Sequence, residues 1–90
     1  MEVLEEIAVK EVQELALRAL PNSRAYDAND NGFKIRLIEH GRTIIGHLHV
    51  SVTDRSISYS PSLQSRADKL EREFNSKYGN GQFTTYPLPK

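Results

Sequence analysis

His47 and His49 stand two residues apart in a stretch, Phe33 to Tyr59, where apolar and polar residues alternate. On a strand that spacing points both imidazoles to one side, where they can bind a metal or change charge near neutral pH. A zinc site needs three or four protein ligands. His40 belongs to a turn and the serines across the strand are poor ligands, so the pair reads as titratable surface groups with no metal or other cofactor. Folding the strands back on one another brings Lys34, Arg36, Ser58 and Ser60 to the same side. That makes a cationic, hydroxyl-rich face suited to phosphates. Ile38 and Ile45 share it, and branched apolar residues among cations suit a protein partner. The face therefore has three readings: a protein contact, a nucleic-acid contact through Lys34, Arg36, Arg42, His47 and His49, or plain solvated sheet. Single-strand binders stack bases on aromatics, and these strands offer Ile38 and Ile45 in their place.

The run Asp27-Ala28-Asn29-Asp30-Asn31-Gly32 resembles the start of an EF-hand calcium loop, with Asp27, Asn29 and Asn31 at the first, third and fifth positions and Gly32 at the turn. The loop's eighth position is Lys34, and its twelfth is Ile38 where a bidentate Glu completes the shell, so the main anionic ligand is missing. Turn chemistry accounts for the same residues. No Gly-rich phosphate loop, Gly-x-Ser-x-Gly turn or His-Glu-x-x-His helix occurs. Pairs such as His49 and Ser60 would lie on a flat surface that neither excludes water nor forms a pocket. The expectation is a non-catalytic protein.

The elements that hold this face follow from periodicity. A two-residue turn at His40-Gly41 sets Leu37 against Ile44 and Phe33 against Leu48; another at Asp54-Arg55 sets Val52 against Ile57 and Val50 against Tyr59. Phe33, Ile35, Leu37, Ile44, Leu48, Val50, Val52, Ile57 and Tyr59 then share an apolar face. Lys34 becomes the cross-strand neighbour of His47. Glu2 to Leu20 reads as a helix with Leu4, Ile7, Ala8, Val12, Leu15, Ala16 and Ala19 on one stripe and acids in its first turns. Val9, Leu17 and Leu20 lie off that stripe, either widening the buried face or forming a dimer seam. Ser60-Pro61 opens a second helix as N-cap and first residue, with Leu63, Ala67, Leu70, Phe74 and Tyr78 facing inward and Gly79 as a left-handed stop. The expected fold is a two-layer α+β sandwich in α-β-β-β-α order: an antiparallel three-stranded meander, two helices on one face, and a short extra strand able to form at 24–27 or 82–86. Gly46, facing inward, lets a helix approach. This order is shared with double-stranded-RNA-binding domains, but their Gly-Pro-His loop and Lys-Lys helix start are absent, Ser65-Arg66-Ala67-Asp68-Lys69 standing there instead. Residues 80–90 are either a last strand pinned by Phe83 and Tyr86 or a loose arm.

Ninety residues fit a single domain that buries roughly 60 to 65% of its unfolded surface. The absence of cysteine removes disulfides, thiolate metal sites and thiol nucleophiles. The first residues carry neither a basic start nor a long apolar run, so the expected setting is cytoplasmic with no membrane contact. Twelve bases balance twelve acids, yet residues 1–30 hold seven acids against three bases and residues 31–90 nine bases against five acids. The sheet and second helix are the positive part. The sequence thus points to a protein-binding or regulatory module, monomer or homodimer, working through Lys34, Arg36, Ile38, Ile45, His47, His49, Ser58 and Ser60, with nucleic acid as the alternative partner.

Overall fold

The computed structural model describes residues 7–44 and 46–89, without the Ile44 side chain. Expectations for Glu2, Leu4, Glu5, Glu6, Ile45 and the Ile44 side chain lie outside the described residues. The chain folds as a two-layer α+β sandwich of two helices, α1 (Val9–Ala19) and α2 (Gln64–Tyr78), on a six-stranded mixed sheet. The strands are β1 (Ser23–Tyr26), β2 (Gly32–Glu39), β3 (Arg42–Ile44), β4 (Leu48–Ser51), β5 (Ser56–Tyr59) and β6 (Thr84–Pro87). Their order is β1-β2-β4-β5-β6, with β3 paired to the far half of β2. All pairs are antiparallel except β5 with β6. Both optional strands form, so the meander gains one strand on each side. No helix among the described residues is long and apolar enough to cross a membrane.

His40 (φ 53°) and Gly41 (φ 75°) make the tight turn, and Leu37 pairs with Ile44 as the turn requires. Beyond Gly46 the register changes. Phe33 pairs with Val50 rather than Leu48, and Lys34 with His49 rather than His47. Two extra residues are taken up where the central strand breaks between β3 and β4. A Cβ on Gly46 would lie 2.8 Å from Leu63 Cδ1, so the break is where Leu63 fills the layer. The second turn is also longer than expected: Val52 to Arg55 form the loop, and Val50 pairs with Ile57, Leu48 with Tyr59. The Ser51 hydroxyl fixes this loop, accepting from the Asp54 amide at 3.2 Å with the Asp54 carboxylate at the same distance. Each shift is two residues. Side chains alternate with period two, so the described apolar residues of these strands keep their expected face.

Phe33, Ile35, Leu37, Leu48, Val50, Val52, Ile57 and Tyr59 are buried against Val12, Ala16, Ala19, Leu63, Ala67, Leu70 and Phe74 of the helical layer. α1 begins at Val9, because Ala8 is extended, later than the expected start at Glu2. Leu20 is buried and Val9 packs on the core, which widens the buried face of this helix. Ser60 does not cap α2: Pro61–Leu63 form a 3-10 turn first, and the Ser60 hydroxyl accepts a hydrogen bond from the His47 amide at 2.8 Å. Gly79 ends α2 at φ 120°, ψ 148°, a conformation reserved for glycine but not the left-handed one expected.

β6 is held from below. Phe83 is fully buried with its ring 4.9 Å from that of Phe74. The Asn75 side chain clasps the Phe83 backbone, accepting from its amide at 2.8 Å and donating to its carbonyl at 3.1 Å. Pro87 occupies the last position of this edge strand, where its missing N–H costs no ladder bond.

Candidate binding face of the sheet

Four pairings line up into one row across the sheet. Tyr26 pairs with Lys34, Lys34 with His49, His49 with Ser58, and Ser58 with Tyr86. Register partners share a face, and the neighbours of these residues along each strand, such as Phe33, Ile35, Val50 and Ile57, are the buried ones. The row therefore lies on the side away from the helices. Strands about 4.8 Å apart separate the Tyr26 and Tyr86 positions by roughly 19 Å. A second row runs beside it: Arg24 pairs with Arg36, and the His47 carbonyl accepts from the Ser60 amide at 2.8 Å.

Side chains on these rows are already arranged. The Arg36 guanidinium carbon sits 4.8 Å from the centre of the Tyr26 ring, a contact that holds the guanidinium as a flat surface of its own. His47 and His49 meet edge to face, with ring centres 5.9 Å apart, and Ser58 Oγ lies 3.4 Å from His47 Nε2. Burial, then the neighbouring His47 and Lys34, holds the His49 imidazole below its ordinary value of 6.5. Lys34 Nζ is 3.6 Å from Asp27 Oδ2, both side chains well exposed, so that pair yields readily to another anion. Tyr86 is 54% exposed, with its hydroxyl accepting from Thr84 Oγ1 at 2.9 Å. The outward strand positions among the described residues carry no carboxylate; Asp27 and Asp54 sit in loops at the strand ends.

Of the residues expected here, Lys34, Arg36, His47, His49, Ser58 and Ser60 are gathered, and Ile45 lies outside the described residues. Ser60 is spent on the His47 amide. Ile38 is outward, opposite Thr43, but half-buried beside Leu20, Pro21 and Asn22. Arg42 pairs with Glu39 and alternates to the other side. The calcium-like loop uses its oxygens internally: Asn29 Oδ1 accepts from the Asn31 and Gly32 amides at 2.7 and 3.1 Å, and Asn31 Oδ1 from the Thr53 hydroxyl at 3.0 Å.

Sequence reasoning missed Arg24 and Tyr26 as face residues and gave Tyr86 only as part of a last strand or arm beside the face; the two outer strands bring all three onto it. The signal for β1 was the alternation in Ser23-Arg24-Ala25-Tyr26; for β6 it was the pair Phe83 and Tyr86, one inward and one outward. Fold and site together define a small α+β domain with an aromatic-flanked cationic sheet face. No protein-family model, curated protein or solved structure matches the chain.

Proposed function

We propose that the protein is a non-catalytic binding module that takes single-stranded nucleic acid across the uncovered sheet face. The row Tyr26, Lys34, His49, Ser58, Tyr86 carries this reading. It sets an aromatic at each end of a cationic, hydroxyl-bearing strip about as long as a sheet platform that stacks roughly two or three bases. Tyr26 with Arg36 offers one stacking surface and Tyr86 the other, while Lys34, Arg36 and Arg24 meet phosphates. A cytoplasmic setting fits the cysteine-free composition.

A protein partner on the same face is the second reading, and Ile38 favours it. It has less support, because a protein contact centres on exposed apolar side chains, and the large apolar side chain exposed among the described residues is Tyr86.

Fluorescence anisotropy with a labelled single-stranded oligonucleotide tests the proposal, using Tyr26→Ala and Tyr86→Ala. Each is expected to weaken binding by about 1 to 3 kcal/mol, the usual worth of one stacked base, without changing the circular dichroism spectrum. Wild-type protein that ignores the oligonucleotide at low salt, or variants that bind it as well as wild type, would sink the reading in favour of a protein partner.

A further inference from the structure

We infer that the binding track continues off the sheet face, around the end of β1, and onto the cationic flank of α2. This inference rests on the single-strand reading above and extends it. Two open cavities join the layers at that end. One, of about 150 Å³, touches outward-facing Ile38 and Asn22 and reaches Arg66. The other, of about 310 Å³, is lined by Ser65, Arg66, Lys69 and Arg72 over the apolar floor of Ala19, Leu20 and Pro21. Leu20, Pro21 and Arg66 belong to both, so the two form one path from the sheet to the helix.

Apart from Glu39, which lines the first cavity with its carboxylate paired to Arg66, the charge along this path suits a phosphodiester backbone. Arg24 and Arg36 stand at its sheet end, and Arg66, Lys69 and Arg72 recur every three residues at its helix end. One Arg66 nitrogen bonds Glu39 Oε1 at 3.0 Å, which sets the guanidinium at the junction of the cavities. Lys69 and Arg72 are exposed. The C-terminal end of α1 also borders the path, and its carbonyls would repel an anion. Two of them are satisfied: the Leu20 amide donates to the Ala16 carbonyl and the Ser23 hydroxyl to the Leu20 carbonyl.

A strand confined to the sheet face needs only the first part of the path, so oligonucleotide length separates the two claims. Binding is measured with chains of about four and about twelve nucleotides, within the usual range for small single-strand modules. The variant reverses both exposed charges, Lys69→Glu with Arg72→Glu. Wild type should bind the longer chain more tightly, and the variant should lose about tenfold on it but less than about twofold on the shorter one. The salt slope for the longer chain should fall by about 1.4, two phosphates' worth for a single strand. Equal loss on both lengths, or no loss on either, overturns the helix track while leaving the sheet-face reading intact. Wild-type protein that binds neither chain overturns both and leaves the cationic path to an acidic protein segment.

Discussion

On the single-strand reading, His49 would couple folding and binding with opposite signs. Burial and the neighbouring His47 and Lys34 lower its pKa below 6.5, so the folded protein holds this proton less firmly than the unfolded chain does. The free protein should therefore have its full stability above about pH 6.5, lose some as the pH falls from there to the lowered folded value, and change no further on this account below it. A bound polyanion reverses the local field. Phosphate beside Lys34 and Arg36 raises the imidazole's proton affinity, and by linkage oligonucleotide affinity rises as the pH falls through the same window. Thermal melts and anisotropy from about pH 8 to about pH 5 should show these opposed trends, and His49→Gln should reduce both. Affinity that stays level as the pH falls would show that the imidazoles do not face the ligand.

At the level of elements, the sequence determined faces better than registers. The His40-Gly41 hairpin keeps its expected register, but both pairings of β4 are shifted by two residues, with β2 at the Gly46 break and with β5 at the longer Val52 to Arg55 loop. A two-residue shift changes every partner and no face. Hence the core and most of the cationic face were legible, while the pairing of Lys34 with His49 was not. Ser51 and Asp54, three apart, were the legible sign of the longer loop. The outer strands were harder, because β6 reaches the sheet only after α2 and pairs parallel to β5, a contact no local pattern encodes. What secures it is the Asn75 clasp on Phe83 together with the buried Phe83 ring. Asn75→Ala leaves the Phe83 amide and carbonyl without these partners and should cost about 1 to 3 kcal/mol. Hydrogen exchange should then quicken at β6 amides while those of α1 stay protected. It should also weaken oligonucleotide binding through Tyr86, although Asn75 lies on the helix layer. Unchanged exchange at Leu88, whose amide donates to the Tyr59 carbonyl, would mean that β6 is held without the clasp.

For the molecule as a whole, equal numbers of acids and bases mean that no general attraction draws it to nucleic acid. Any affinity must come from local cationic surface, on the sheet face first and along the flank of α2 for a longer strand. Arg24, Lys34 and Arg36 can neutralise about three phosphates there, which gives a salt slope near −2 for a single strand at a pH where the imidazoles are neutral and the ligand covers only the sheet. Shape separates the strand types further. The sheet offers neither a helix nor a projecting ribbon to enter a duplex groove, and its tyrosines can stack only on bases that are already unstacked. Single-stranded oligonucleotide should therefore bind at least about tenfold tighter than duplex of the same sequence, and Tyr86→Ala should narrow that gap by weakening the single strand alone. Duplex that binds as well as single strand, with a steeper salt slope and no response to Tyr86→Ala, would mean that the cations act alone. The alignment of two tyrosines on one cross-strand row would then be incidental to binding, and the protein would read charge without reading bases.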